Sequence, residues 1–266
     1  MSATDGDRQA ANAELREILD EHRRVWERKP VLRAIYADCY RRMVAQCRPG
    51  RTLEIGGGTG NLKAYLPDIV SLDIQTSPWL DLVADAQRLP FAERSFDNIV
   101  MFDVLHHLER PRLFLEEAAR ILRPGGRVVV CEPGITPVSY LFYTFFHPEP
   151  VRLGEDPLAA GGLSPHRDPW DSNQHIPTAL FGRARGRIPE AVPGLAAQSC
   201  DYFSLLAYPL SGGFRSWSLL PAGLVDGLLK LENRLAPVLG RLIGFRLVGV
   251  IAKQEQAPST VVAGPA

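Results

Sequence analysis

The chain has 266 residues, a formal net charge of +0, 45% hydrophobic residues and 23% charged residues. This length and composition predict one globular domain with a large insertion, or at most two small domains. A balanced charge argues against a nucleic-acid partner, which needs a clustered basic surface. The basic clusters at residues 23–29 and 183–187 are therefore interpreted as solvated surface.

The cysteines and the N-terminal segment predict a cytoplasmic protein without a metal site. The 4 cysteines are scattered and form no C-x-x-C pair, which disfavours structural zinc and fits a reducing compartment. Residues 1–9 are polar and lack the apolar run of a secretory signal. No uninterrupted run reaches the ~18 apolar residues of a membrane span. Residues 235–251 come nearest but contain a proline and two arginines, which leaves a peripheral membrane contact open.

The first 49 residues predict a tail followed by a helical cap. Residues 1–9 are predicted to be a disordered tail. Apolar residues at helical spacing then predict helices over residues 10–29 and 31–47, separated by Pro30.

From residue 50 the pattern changes to strands that alternate with helical segments. Strands are predicted at residues 51–55, 69–74, 82–84, 96–102 and 127–131, with helices at 62–66 and 112–122. This alternation predicts an α/β protein with a doubly wound, mostly parallel sheet, whose strand carboxyl ends form the ligand-binding edge. We expect seven strands, the last of them antiparallel, and a long insertion after strand five.

The second half of the chain divides into three predicted parts. Residues 133–194 are irregular and rich in Pro, Gly, His and aromatic residues, and long segments of this kind are usually lids or binding loops. The predicted parts are a substrate-covering insertion at 133–197, a completion of the sheet at 198–255 and a disordered tail at 256–266. The completion contains predicted strands at 198–206 and 245–253 and one or two helices over 219–242, broken near Pro237.

A glycine-rich loop follows the first predicted strand. Residues 56–60 place glycines with the spacing G-x-G-x-G, where a backbone without Cβ atoms can turn tightly and approach a ligand. The dinucleotide fingerprint needs one more glycine where Asn61 stands, which disfavours a nicotinamide-dependent oxidoreductase. Glu54 precedes the loop, and Asp73 ends the next strand, about 20 residues on, where a carboxylate can accept ribose hydroxyls.

Residues 53–60 (LEIGGGTG) resemble motif I of the class I S-adenosylmethionine-dependent methyltransferases. Four later segments resemble further motifs of that family, in the same order: residues 84–91, 95–100, 103–108 and 122–127. The resemblance implies a Rossmann-like, cofactor-binding core over residues 50–132, with S-adenosyl-L-methionine as the cofactor. The implied cofactor-binding residues are Glu54, Gly56, Gly57, Gly58, Gly60, Asp73, Ile74, Asp85, Ala86 and Asp103.

The resemblance also implies roles for four of these residues. Glu54 would lie near the methionine end of the cofactor, and Asp73 would bind its ribose. Asp85 would receive the exocyclic amine of the adenine, and the Ala86 amide would reach a ring nitrogen.

Methyl transfer from a sulfonium needs binding and alignment, and a general base only where the acceptor atom carries a proton. The candidates at the predicted site are His106 and His107, which follow the fourth strand, and His147 in the aromatic segment 141–150. A neutral imidazole suits a base, although either of the paired histidines can equally pack in the core or bond a carbonyl. Further candidates are Glu132, Glu149, His166, Asp168, Asp171 and His175.

These features predict methyl transfer to a small-molecule acceptor that is hydrophobic, sugar-like or lipid-linked. Segment 141–150 is suited to wall an apolar pocket, and segment 168–175 to read hydroxyl groups. Oxygen is the preferred acceptor atom, and the oligomeric state is open. Two alternatives keep the same cofactor site: an enzyme that catalyses cyclisation or rearrangement instead of methylation, and a non-catalytic protein that binds the cofactor.

Overall fold

The computed structural model describes residues 5–165 and 171–255, with side chains from residue 17 onward. Its strands are β1 (Thr52–Ile55), β2 (Val70–Asp73), β3 (Leu82–Val83), β4 (Phe96–Phe102), β5 (Leu122–Pro133), β6 (Leu195–Phe203) and β7 (Arg246–Lys253). They form one 7-stranded sheet in the order β3-β2-β1-β4-β5-β7-β6. Only β7 runs antiparallel to its neighbours, β5 and β6. The predicted fold class is confirmed.

The helices are α1 (Asp5–Arg28), α2 (Pro30–Val44), α3 (Pro111–Ile121), α4 (Pro137–Phe146), α5 (Ile176–Phe181), α6 (Ile188–Ala191), α7 (Ala207–Ser211) and α8 (Val225–Ile243). The prediction of a tail over residues 1–9 is wrong from Asp5 onward, because α1 already begins there, and residues 1–4 lie outside the described part. Among the described residues, no helix is long and apolar enough to span a bilayer.

The sheet is covered on both faces, and its central strands are buried on both. Alternate residues of β4 belong to different cores: Ile99 packs in the core that contains Phe114 of α3, and Val100 in the core that contains Leu32 of α2. This two-sided burial explains why the second half of β4, residues 99–102, is an unbroken apolar run in the sequence. It also leaves the carboxyl ends of β1, β2 and β4 at one edge.

The insertion after β5 is more regular than its sequence predicts. Thr136 and Ser139 form a reciprocal capping box, and Pro137 occupies the first turn, so α4 begins directly after the sheet. Strand β6 begins at Leu195, inside the predicted insertion 133–197. Helix α8 is continuous through Pro237, contrary to the predicted break, and this proline is exposed to solvent.

Two smaller predictions along the core also differ from the structure. The helix predicted at 62–66 is a single 3-10 turn, Asn61–Ala64, because Pro67 prevents the chain from continuing as a helix. Residues 123–126, between the predicted helix 112–122 and the predicted strand 127–131, are part of β5, which bulges there against β4. The predicted tail 256–266 lies outside the described residues.

Candidate active site

The glycine loop is held against the ends of β2 and β4. The amides of Gly56 and Gly57 donate to the Leu72 carbonyl at 2.8 and 3.0 Å. Gly56 has φ +77°, and a Cβ added there would lie 2.0 Å from Cγ2 of Val104. Only glycine fits this close approach, which explains the first glycine of the motif.

Glu54 lies beneath the loop and is buried. Its carboxylate accepts a hydrogen bond from the Ser71 hydroxyl, and burial raises its pKa. Gly57 packs directly above it, since an added Cβ would lie 3.1 Å from Oε2 of Glu54. Gly58 is different: an added Cβ would have only the Gly56 carbonyl within 4 Å, at 3.9 Å. The loop therefore presents an open face at Gly58.

The backbone orients the carboxylate of Asp73. Oδ2 accepts from the Gly58 amide at 3.1 Å and Oδ1 from the Gln75 amide at 3.2 Å. Burial raises the Asp73 pKa, and these amide hydrogen bonds oppose that shift. Each oxygen retains a lone pair for a further donor, as a ribose hydroxyl would require.

The remaining residues of the implied cofactor site follow β2 and β3 along the same sheet edge. Ile74 is exposed and Ala86 is buried. Asp85 Oδ1 accepts from the Gln87 amide at 2.9 Å, which fixes the turn after β3. Gly60 begins the 3-10 turn with φ +72°, and an added Cβ would lie 2.8 Å from Cβ of Trp79, so its role is tight packing.

A cavity of about 570 Å³ opens at the glycine loop. It brings together eight of the predicted site residues: Glu54, Gly56, Gly57, Gly58, Asp103, His106, His107 and His147. The other five lie outside its lining: Gly60, Asp73, Ile74, Asp85 and Ala86. The cavity thus spans the region between the loop and the insertion, and the ribose and adenine residues continue along the neighbouring strands.

Aromatic side chains form much of the cavity wall. Its aromatic lining includes Tyr36, Tyr40, Phe102, Phe142, Tyr143 and Tyr208. Phe146 and Trp217 also line the cavity but are 66% and 43% exposed, so they stand at its mouth. The prediction that segment 141–150 walls an apolar pocket therefore agrees with the placement of α4.

His106 lines the cavity and lies between two carboxylates. Its Nδ1 lies 2.6 Å from Oε2 of Glu132, and its Nε2 lies 3.3 Å from Oε2 of Glu149. Glu132 is fully buried and also accepts from the amides of Val104 and Leu105 at 2.9 and 2.7 Å. Burial alone would lower the His106 pKa, but the charge and hydrogen bond of Glu132, with Glu149, raise it to about 10.

These pKa shifts divide the roles of the predicted histidines. At neutral pH His106 is an imidazolium, not the neutral base that its sequence position suggests. Burial lowers the pKa of His107 and of His147, so both are neutral there. Burial alone would raise the Glu149 pKa, but the hydrogen bond from His106 and the nearby histidines lower it to about 2.

Sequence reasoning missed Arg246, the first residue of β7. Its side chain is 1% exposed, lines the cavity and places Nη1 2.7 Å from Oδ1 of Asp103. The guanidinium also lies over the rings of Phe102 and Tyr208, at 4.8 and 5.3 Å from their centroids. Asp103 has φ +55°, a strained backbone of the kind found at functional sites. The sequence does contain a signal for this residue, because Arg246 stands before a run of apolar residues in the predicted strand 245–253.

Helix α1 borders the cavity, and Lys29, directly after it, fixes a neighbouring segment. Leu19 and His22 line it, and Arg23 donates from Nη1 to the Thr59 carbonyl at 3.2 Å. Lys29 is buried and donates from Nζ to three carbonyls of residues 213–217, at 2.7, 2.8 and 2.8 Å. The interpretation of residues 23–29 as solvated surface is wrong for Lys29, which fixes one wall of the mouth.

The other polar segment predicted to read the acceptor lies only partly within the described chain. His166 and Asp168 lie outside it. The backbone amide of Asn173 donates to the backbone carbonyl of His106 at 2.8 Å. The side chain of Gln174 lines the cavity and donates a hydrogen bond to Glu149. This segment therefore braces the histidine pair and contributes one amide to the cavity.

Two groups of side chains bring together atoms that metal ions favour. Donor atoms of His106, His107 and Glu149 lie within 4.8 Å of one another, as do those of His106, Asp103 and Glu132. His106 belongs to both groups, and both of its ring nitrogens already face carboxylates. We interpret the cluster as an ion-pair network, and the absence of a metal site stays a prediction.

The comparisons with known proteins agree with this site. Residues 53–130 match the family model described as a methyltransferase domain. A demethylmenaquinone methyltransferase from Beutenbergia cavernae is 36% identical over 155 residues, which are 50% of this chain and 65% of that protein. Another from a Mycobacterium species is 45% identical over 65 residues, 24% of this chain and 28% of that protein. The chain thus aligns with less than two thirds of the length of these relatives.

A solved structure resembles the whole fold. A candidate sarcosine dimethylglycine methyltransferase from Galdieria sulphuraria superposes with a TM-score of 0.52 at 15% identity, covering 89% of this chain and 98% of that one. The sheet and the glycine-loop cavity define a Rossmann-like methyltransferase fold. Over its cofactor-binding core the chain is similar to methyltransferases. This similarity agrees with the predicted cofactor, S-adenosylmethionine, and disfavours the nicotinamide alternative.

Proposed function

We propose that this protein transfers a methyl group from S-adenosylmethionine to a hydroxylated aromatic acceptor of the quinol class. The continuity of the cavity carries the proposal, because one space joins the glycine loop to the aromatic walls. The relatives named demethylmenaquinone methyltransferases support the acceptor class. The cytoplasmic location stays a prediction.

The residues present fit the cofactor. The open face at Gly58 leaves room above the loop, where a larger side chain would intrude. Asp73 has its carboxylate oriented for hydroxyl groups, and Glu54 and Asp103 offer negative charge to a cationic amine or sulfonium. When bound, S-adenosylmethionine supplies an electrophilic methyl group.

The aromatic lining of the cavity suits a flat, apolar ring. Tyr36, Phe142 and Tyr208 can contact ring faces and edges, and such contacts stabilise by ~1 kcal/mol beyond the burial of area. An aromatic lining favours a planar ring over a sugar. The aromatic acceptor is therefore preferred to the sugar-like acceptor that the sequence also allowed.

One histidine is placed to take a proton from a quinol oxygen. The His106 imidazolium has both ring nitrogens on carboxylates, Glu132 and Glu149, so its role is to hold this part of the cavity in place. His107 is neutral and lines the same cavity, so its imidazole accepts the hydroxyl proton. The resulting phenolate raises electron density on the ring carbons. We therefore propose a ring carbon as the acceptor atom, in place of the predicted preference for oxygen. The new carbon–carbon bond replaces the bond between sulfur and the methyl group, S-adenosylhomocysteine leaves, and the ring carbon then loses its own proton to solvent.

The test is a methyl-transfer assay with isotopically labelled S-adenosylmethionine and chemically reduced demethylmenaquinone of short side chain. We expect labelled product in which nuclear magnetic resonance places the methyl group on a ring carbon. A His107→Asn variant should retain cofactor binding and lose most turnover, about 100-fold or more. A methylated oxygen would contradict the acceptor atom. Cofactor binding without product from any phenol or quinol would contradict the proposed function and favour the non-methylating alternatives.

A further inference from the structure

Large apolar side chains are exposed beside the mouth of the cavity. Helix α4 contains no charged residue, and it exposes Leu141, Phe145 and Phe146 at 55%, 73% and 66%. Across the mouth, Trp217 and Leu219 are 43% and 72% exposed. Contiguous exposed apolar side chains of this size mark interaction sites on proteins.

Helix α8 extends this feature. It exposes Leu235 at 40% and Val238 at 81%, and Val238 lies on the side of the helix opposite its buried residues. Helix α4 contacts α8, and the Thr136 hydroxyl at the start of α4 donates to the Gly244 carbonyl at the end of α8, at 3.2 Å. We define the mouth surface as the exposed apolar side chains of α4, residues 217–219 and α8.

The exposed charges of residues 215–243, the segment that carries most of the mouth surface, are mostly positive. Over residues 215–243 the exposed cations are Arg215, Lys230, Arg234 and Arg241, and the exposed acid is Asp226 alone. Glu232 is buried and bonds the backbone amides of residues 206 and 207. The whole chain has a net charge of +0, so this excess of positive charge is a local feature.

We propose that the mouth surface docks on a bilayer that contains anionic phospholipids. Its apolar side chains enter the acyl boundary while its cations meet lipid phosphates, the arrangement of interfacial amphipathic helices. A symmetric dimer through this surface would set the same cations against each other, which disfavours a second copy. Phe146 and Trp217 line the cavity and belong to the mouth surface, so an apolar acceptor can pass from the bilayer into the cavity.

The test is co-sedimentation of the purified full chain with vesicles, in the absence of any acceptor. The vesicles contain phosphatidylcholine alone or phosphatidylcholine with one third phosphatidylglycerol. We expect binding to the anionic vesicles that weakens at high salt. Phe145→Ser with Leu219→Ser, and separately Lys230→Gln with Arg234→Gln, should each weaken binding about tenfold or more.

Matched controls lie at the far edge of the sheet and on the surface after it. Val83→Ser removes an apolar side chain that is 53% exposed, and Arg88→Gln removes an exposed cation; neither should change vesicle binding. Circular dichroism confirms that each variant folds. No binding of the native chain to anionic vesicles would overturn the proposal, as would a dimer that Phe145→Ser dissolves. Both readouts are independent of methyl transfer, so they separate this proposal from the proposed function.

Discussion

At the scale of single residues, His106 is strongly perturbed by Glu132. The pKa of His106 is raised from 6.5 to about 10 in the folded protein. Its contribution to stability is therefore complete below pH 6.5 and is lost as the pH rises from 6.5 through 10. We expect the free energy of unfolding to fall between pH 6.5 and 10 in the native chain and to fall less in a Glu132→Gln variant. Denaturant titrations across this range measure it.

The same variant tests the electrostatic role of Glu132 at neutral pH. Without that carboxylate, burial favours the neutral form of His106, and the buried pair is broken. We expect Glu132→Gln to lose about 3 kcal/mol of stability. Nuclear magnetic resonance should show that the His106 pKa is lower than in the native chain. A His106 that still titrates near 10 in the variant would contradict the assigned partner.

Asp73 is the residue on which the ribose assignment depends. Asp73→Asn keeps the size of the side chain and removes the charge that accepts hydroxyl donors. We expect the Kd for S-adenosylmethionine to rise about tenfold to a hundredfold, because hydrogen bonds to a charged group contribute ~1.5–3 kcal/mol. Asp68→Asn, at an exposed position that precedes β2, should leave the Kd unchanged. Equal Kd values in the native and Asp73→Asn chains would contradict the assignment.

At the scale of elements, the sequence predicted the glycine loop and β4 well because their constraints are local. Gly56 must adopt a positive φ beside Val104, and β4 must be apolar on both faces. We expect Gly56→Ala to weaken cofactor binding and to destabilise the fold by about 2 kcal/mol or more. An alanine disfavours the positive φ at this position, and its Cβ would clash with Val104. Gly227→Ala in α8, where an added Cβ meets nothing within 4 Å, should be neutral or slightly stabilising. Thermal unfolding compares the two.

The elements that sequence reasoning missed depend on contacts between distant segments. Nothing near Lys29 in the sequence indicates that its ammonium binds carbonyls of residues 213–217. Lys29→Met should release that wall, raise the KM for the acceptor severalfold and leave the Kd for the cofactor within about twofold. Steady-state kinetics and calorimetry separate the two effects. A change confined to the cofactor would contradict this role of Lys29.

At the scale of the whole molecule, the mostly parallel sheet and its ligand-binding edge could be predicted from the alternation of strands and helices. The cavity walls beyond segment 141–150 could not, because α4, β7 and the segment near Lys29 meet only in three dimensions. Arg246 shows the reason most clearly: it lies far from Asp103 in the chain, and only the antiparallel pairing of β7 with β5 brings them together. Local sequence motifs therefore predict the cofactor site, whereas the shape of the acceptor site depends on packing between distant segments.

The most direct measurement is calorimetric titration of the purified chain with S-adenosylmethionine and S-adenosylhomocysteine, repeated with Asp73→Ala. We predict micromolar binding of both ligands to the native chain, and binding at least tenfold weaker to the variant. Folded native protein that binds neither ligand would contradict the account of the site.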